Sequence, residues 1–327
     1  MLFEDQHPHN RSVMAAVLGE PNVGKSSLIN QFLGVDLSVV TNKPQTTRNR
    51  YHCVVSVDRT EVIFVDTPGV HKSSLEINLR YNEQARESIG GVDVNLIVVD
   101  MTRPLFEQLK QLKSTLDVEL SESWLVLNKM DRVKDKDGGI PSEEALSKIL
   151  ELSKELIPSI EKVFITSAKT EEGTNELLGA LLDRSENRKH RYSSGEMSNK
   201  NMRFFATEYI REQAFLNLKD EIPYEVAVVL DSYEDRLTKT KEVESSKISA
   251  TILVNRPSQR AIVVGSKGSM IKKIGMEARE KIEKLSGSKV HLNLHVKVSP
   301  KWFKNNFVLE EIGLPRAKDS HRVWRAK

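Results

Sequence analysis

The chain has 327 residues, 39% hydrophobic and 29% charged, a length and balance that suit two soluble domains with cores of their own. No apolar run approaches the ~20 residues of a membrane-spanning helix, and the N-terminus lacks both a signal-peptide core and an Arg-rich transit pattern, so cytoplasmic residence is expected. The formal charge of +3 hides a division: residues 186–327 carry 28 Lys and Arg against 18 Asp and Glu, a net of +10, which leaves 21 against 28, or −7, for residues 1–185. An acidic part joined to a basic part points to a polyanionic partner for the second.

In chain order, residues 1–12 read as an N-terminal extension and residues 13–185 as an α/β nucleotide-binding domain. An apolar run ending at Leu18 leads into Gly19-Glu20-Pro21-Asn22-Val23-Gly24-Lys25-Ser26, and a helical pattern follows to Leu33. Strand, loop and helix in that order are the setting of a phosphate-binding loop. Gly19 and Gly24 let backbone N–H groups turn inward, and the helix starting near Lys25 aims its positive end at the phosphates. Lys25 is placed to reach the β- and γ-phosphates, and the Ser26 hydroxyl to ligate Mg²⁺.

Such a loop arises by chance in about one chain in a hundred of this length, and Asp-x-x-Gly about once per chain. Order and strand context therefore carry the assignment. The strand Val62-Ile63-Phe64-Val65 delivers Asp66-Thr67-Pro68-Gly69-Val70, Leu125-Val126-Leu127 delivers Asn128-Lys129-Met130-Asp131, and Val163-Phe164-Ile165 delivers Ser167-Ala168-Lys169. These strand ends converge on one edge of a sheet, where open α/β folds bind ligands. Asp66 is the expected magnesium-facing carboxylate. Asp131 accepts hydrogen bonds from guanine N1–H and the exocyclic amine, donors that adenine lacks on that edge, and leaving the carboxylate unpaired is costly. Asn128 and Lys129 brace the loop and cover the ring, and the Ala168 amide meets the guanine oxygen. The expected ligands are GTP and GDP with Mg²⁺, with ATP a poor substitute. The lone Cys53, in the strand-like run Tyr51 to Val57, reads as a small buried hydrophobe and excludes an intrachain disulfide.

The polar stretch 186–201, with Ser193-Ser194-Gly195 at its centre, reads as a linker. Residues 202–314 follow as a smaller α+β domain: a helix over 203–218, strands near 224–231 and 247–254, a helix pair around Gly265 to Gly268, and a strand from Val290 to Val298. That α-β-β-α-α-β order is the order of a type II KH fold. Its centre is Ile262-Val263-Val264-Gly265-Ser266-Lys267-Gly268-Ser269-Met270-Ile271-Lys272-Lys273-Ile274. A Gly-x-x-Gly loop in a KH domain clamps about four nucleotides of a single strand. Lys267, Lys272 and Lys273 add charge, while Ile262, Val263 and Ile271 are expected to floor the bases. The other reading of the loop is a helix-turn-helix corner in a core; element order favours RNA, and DNA is not an expected partner. Ala261 to Val264 reads as a strand by its β-branched content, although the KH order makes it a helix. Residues 315–327 form a basic tail, read as frayed and solvated.

With both ends read, the chain resembles the Era GTPases over nearly its whole length. The resemblance rests on the phosphate loop, Lys43-Pro44-Gln45-Thr46-Thr47-Arg48-Asn49-Arg50, the stretch Asp66 to His71, Met202 to Glu212, Glu221-Ile222-Pro223-Tyr224, and Ile274 to Arg279. It implies an α/β P-loop GTPase domain, with a mostly parallel sheet and helices on both faces, followed by a type II KH domain. It also implies a GTP hydrolase that binds the 3′ end of small-subunit ribosomal RNA and assists maturation of the small ribosomal subunit. It places Ser26, Thr47 and water-linked Asp66 on magnesium, and Asn22 and Thr46 on potassium, where an arginine finger would reach. The alternative for Asn22 is a brace for the loop. Catalysis falls to Lys25, Thr47, Gly69 and Asn22, because Val70 stands where Ras-like enzymes carry the water-orienting Gln, and slow turnover is expected. Loss of the γ-phosphate is expected to release Thr46 to Thr47 and Gly69 to Lys72. A monomer is expected. Competing readings are an RNA-binding nucleotide switch with little turnover, a GTPase acting on another RNA, and peripheral contact with the inner face of the cell membrane, which no amphipathic basic helix supports.

Overall fold

The computed structural model describes residues 7–41, 43, 47–71, 76–137 and 141–314. Its chain divides between Lys200 and Asn201 into two units. The first runs β1 (Arg11–Leu18), α1 (Lys25–Leu33), β2 (Tyr51–Val57), β3 (Thr60–Asp66), α2 (Glu76–Glu87), β4 (Val94–Asp100), α3 (Leu105–Leu116), β5 (Ser123–Asn128), α4 (Met130–Asp137), α5 (Glu143–Leu156), β6 (Ile160–Ile165), α6 (Thr174–Arg184) and β7 (Glu186–Asn187). The sheet order is β2-β3-β1-β4-β5-β6, parallel except for β2 against β3, with β7 pairing antiparallel to the start of β1. β1, β4 and β5 are buried almost throughout, the mark of central parallel strands covered on both faces. Ala16, Leu18, Ile97, Leu109, Leu112, Leu125 and Ile160 share one core cluster.

Register decides where the functional ends fall. Val17 pairs with Asp66, Leu18 with Ile97, and Asp100 with Asn128, so the carboxyl ends of β1, β3, β4 and β5 fall on one edge, with β4 and β5 running three residues past the end of β1.

Residues 186–200, expected to form a linker, are laid along the edge of this unit. Glu61 Oε1 accepts from Arg191 N at 2.9 Å, Val54 N donates to Met197 O at 2.9 Å, and His52 N donates to Asn199 Oδ1 at 2.9 Å. The reason is β2: as an edge strand it has unpaired backbone groups, and a polar stretch can satisfy them as well as water does.

The second unit runs α7 (Met202–Asn217), α8 (Ile222–Glu225), β8 (Ala227–Leu237), β9 (Val243–Val254), α9 (Pro257–Val264), α10 (Ser269–Ser286), β10 (Lys289–Val298) and α11 (Asn306–Glu311). Its sheet order is β10-β9-β8, with β10 parallel and β8 antiparallel to β9. Ile210, Ala214, Val263, Ile274 and Ala278 pack from the helices onto Ala250, Ile252 and Val254.

Ala261 to Val264 are helical, against their β-branched content. Pro257 fixes the first turn, and Gln259 Oε1 accepts from Asn255 N at 2.9 Å and Arg256 N at 3.0 Å, so a cap and a prepared first turn outweigh a propensity of a few tenths of a kcal/mol. Among the described residues no helix is long and apolar enough to cross a membrane.

Candidate functional site

In the first unit an open cleft of about 570 Å³ is lined by residues from five of the expected segments, including Asn22, Lys25, Ser26, Thr47, Gly69, Asn128, Lys129, Asp131, Ala168 and Lys169. Lys25 lies folded over its own loop, donating to Gly19 O at 3.1 Å and Glu20 O at 2.9 Å. Burial lowers its pKa to about 8, against the pull of Asp66 and Glu20. The loop thus holds its cation where an anion would regain it.

Ser26 Oγ lies 3.0 Å from Thr47 Oγ1 and donates to Asp66 Oδ2 at 3.2 Å, so the three expected magnesium residues meet. Asp66 is fully buried, and burial raises its pKa to about 6, although Lys25 and the Ser26, Ser38 and Tyr51 hydroxyls lower it. Its Oδ1 is buried without a hydrogen-bond partner of ordinary geometry. The Ser26 and Thr47 hydroxyls beside this buried carboxylate form an all-oxygen donor set that fits Mg²⁺. Thr46, assigned with Asn22 to potassium, lies outside the described residues, as does Lys72. Asn22 has φ 63° on the cleft wall.

The segment after β3 is tied to the phosphate loop. Thr67 Oγ1 donates to Val17 O at 2.6 Å and Val70 N donates to Gly19 O at 3.0 Å. A Cβ on Gly69 would stand 2.7 Å from Pro21 Cα, closer than any real side chain approaches backbone, so glycine is needed here for contact alone. Of Val70, expected among the nucleotide contacts, the side chain is fully buried in the core cluster with Leu18 and Ile97, which leaves its backbone for such a contact. Gly19, Glu20, Val23, Thr67 and Pro68 likewise shape the loops from behind the cleft wall; the Glu20 carboxylate is ion-paired with Arg103.

On the base-reading side, Asn128 Nδ2 donates to Val23 O at 2.8 Å, while its Oδ1 accepts from Thr166 Oγ1 and Ala168 N, both at 3.2 Å. One side chain therefore joins the phosphate loop to the loop after β6. Ser167 Oγ donates to Asp131 Oδ1 at 2.7 Å and accepts from Thr170 N at 3.1 Å. Lys129, with φ 70°, donates to Asp100 Oδ2 at 2.7 Å. Burial would raise Asp100, but hydrogen bonds from Lys129 and Thr102 hold it below the usual carboxylate range. Asp100 and Arg103 carried no sequence signal, and neither did Val39, Val40 and Thr41, which complete the cleft wall; a motif records what touches the ligand, not what holds the holder.

In the second unit, α9 and α10 meet at Gly265, Ser266, Lys267 and Gly268. Gly265 has φ 74°, and a Cβ there would lie 2.7 Å from Met270 N. Lys267 has φ 51° and, like Ser266, is exposed. Ile262 and Lys272 are exposed and Ile271 is half-buried, while Lys273 is exposed with Glu277 Oε1 3.8 Å from its Nζ. Val263, expected with them on the floor beneath the bases, is fully buried in the core instead, because helical geometry turns successive residues about 100° apart.

A family model described as a 50S ribosome-binding GTPase matches residues 14–129, and one described as a KH domain matches residues 221–303. GTPase Era of Thermosipho melanesiensis is 36% identical over 300 residues, covering 91% of this chain and 96% of that protein. The chain belongs to the Era GTPase family. GTPase Era of Thermotoga maritima is 34% identical over 305 residues, covering 93% and 97%. A crystal structure of Era in complex with MgGDPNP and nucleotides 1506–1542 of 16S ribosomal RNA matches with a TM-score of 0.79 at 27% identity, covering 93% of this chain and 99% of that one. A point variant of Aquifex aeolicus Era bound to GDP·AlF₄⁻ matches at 0.80, with the same identity and coverage. The Era fold, a P-loop GTPase domain followed by a KH domain, is therefore the fold of this chain.

Proposed function

We propose that this Era GTPase hydrolyses GTP slowly and binds the 3′ region of small-subunit ribosomal RNA through its Gly265 loop, assisting maturation of the small subunit. The observation that carries it is the opening of Ser26, Thr47 and Asp131 onto one cleft, with Asp66 and Ser167 buried behind them and hydrogen-bonded to them, on a chain that also bears a KH loop. Ser26, Thr47 and Asp66 would hold Mg²⁺, which neutralises charge on the β- and γ-phosphates. Lys25 and the loop amides bind the phosphates, Gly69 brings its backbone against the loop, and Asp131 reads the base. Asn22, with Thr46, is assigned to potassium, which would take up the charge that an arginine finger takes up elsewhere.

Ile262, Gly265, Ser266, Lys267, Gly268, Ile271, Lys272 and Lys273 form the proposed RNA surface. The chain acts as a cytoplasmic monomer in this reading, with peripheral contact at the inner face of the cell membrane as the further expectation. Single-turnover phosphate release with GTP and ATP, with and without RNA of nucleotides 1506–1542, tests it. Release from GTP alone, together with binding of that RNA, supports the reading; release from ATP at a comparable rate, or no preference over a scrambled RNA, sinks it.

A further inference from the structure

The KH sheet is covered by helices on one face, where Leu292, Leu294 and Val296 of β10 meet the core. Its other face is built by the alternate residues. Lys289, His291, Asn293, His295 and Lys297 of β10 are all exposed, and the register sets them beside Ser245, Lys247, Ser249, Thr251 and Leu253 of β9. At 3.3–3.4 Å per residue the five outward positions of β10 run about 27 Å. None of Lys247, Lys289 or Lys297 makes an ion pair among the described residues. Asn293 Nδ2 lies 3.1 Å from His295 Nε2, which joins the centre of the row.

Charge is graded across the sheet. Acidic groups collect towards β8: Asp231, which accepts from Thr251 Oγ1 at 2.9 Å and has Glu311 near it, and Glu234, which the register sets opposite Lys247. Arg236 is paired with Glu244 at 3.2 Å. A polyanion is therefore drawn to β10 and β9 and turned away from β8. β10 is an edge strand, and α9 and α10, which carry the Gly265 loop between them, both pack on it. Gly275 of α10 sits directly over Leu294, with room for a Cβ only at 3.4 Å. A strand leaving the loop has only one β-strand to round before it meets the lysines.

We infer that the open face of β10 and β9 is a second RNA-binding surface, in which Lys247, Lys289 and Lys297 take backbone phosphates and His291 and His295 stack on unpaired bases of the segment that continues from the KH loop. Lysines at this spacing supply the sequence-independent electrostatic part of binding. Aromatic rings on an open sheet supply stacking that tolerates any base. The inference rests on the reading of the KH loop as an RNA clamp and adds a longer footprint to it.

The test uses the full chain and two probes: RNA of nucleotides 1506–1542, and a pool of six-nucleotide single strands tiling it. The triple variant Lys247→Gln, Lys289→Gln, Lys297→Gln should bind the long RNA at least tenfold more weakly. Its slope of log K against log salt should fall by about 2, since each phosphate contact on a single strand contributes about 0.7. It should bind the short strands as the unchanged protein does. A second variant, His291→Ala with His295→Ala, should lose about tenfold on the long RNA with its slope unchanged, because stacking releases no counterions. An unchanged slope in the triple variant, as an acidic protein partner for this face would give, overturns the inference, and so does an equal loss on both probes. Failure of the unchanged protein to bind either probe would instead remove the KH-loop reading beneath it.

Discussion

Ser167 Oγ donates to Asp131 Oδ1 at 2.7 Å, so one oxygen of the carboxylate proposed to read the base is already held in place by the hydroxyl of a buried serine. Ser167→Ala should weaken GTP and GDP about tenfold, the worth of one charge-assisted hydrogen bond at ~1.5 kcal/mol. Asp131→Ala should cost more than a hundredfold and remove the preference for guanine over adenine. Competition of ATP against a fluorescent GDP analogue checks both.

Removal of Mg²⁺ should act through Asp66. With its pKa raised to about 6 by burial, the carboxylate is ionised at pH 7.5 and then needs a counter-charge beside the phosphates. Chelation at pH 7.5 should weaken GDP by tenfold or more. As pH falls through 6 a proton competes with the metal, and the effect of Mg²⁺ on affinity should fade, approaching tenfold per pH unit. Asp66→Asn should flatten that dependence, as read by titrations at fixed Mg²⁺.

His52 predicts an acid-labile edge. Burial, with Arg50, Arg191 and Lys200 adding to it, lowers its pKa to about 4, and Tyr192 Oη stands 2.5 Å from Nδ1. The folded value lies below the unfolded 6.5, so the unfolded chain binds the proton first and stability falls as pH drops from 6.5 towards 4. His52→Gln should remove this part of the slope, visible in Tm measured at pH 7 and pH 5.

Potassium should matter if Asn22 and Thr46 hold it. Replacing KCl by NaCl should slow single-turnover hydrolysis by tenfold or more and leave GDP affinity within twofold. Asn22→Ala should be slow in both salts; equal rates for the unchanged protein in the two salts would leave Asn22 as a brace.

The two glycines of the RNA loop should differ. Gly265→Ala meets both a left-handed φ and a Cβ 2.7 Å from Met270 N, whereas a Cβ on Gly268 meets nothing within 4 Å. Gly268→Ala should cost about 1 kcal/mol from its φ of 79°. Gly265→Ala should cost more, with RNA affinity falling at least tenfold and GTP hydrolysis without RNA unchanged.

The parts legible in the sequence were those where chemistry dictates residue type. A loop of the phosphate-binding type and the short motifs that follow strand ends leave few spellings, and the strand ends before Asp66, Asn128 and Ser167 fall where the apolar runs place them. What escaped was set by tertiary contact. Val263 and Ile262 are adjacent and chemically alike, and only the helical turn sends one inward and the other to solvent. The stretch 186–200 has a linker's composition, yet Glu61 and the free edge of β2 capture it. Asp100 has no motif of its own and is recognised only by the Lys129 it anchors.

Val70 fills a space in the core shared with Leu18 and Ile97, and its amide is bound to Gly19 O. Val70→Gln, the single change that would restore a water-orienting amide, would either drive a polar group into that core, at roughly 1–3 kcal/mol for an unpaired amide, or empty the space and swing outward. Packing of the interior and the chemistry proposed for this position thus meet in one side chain, and any gain in turnover from Val70→Gln should come with a measurable loss of stability.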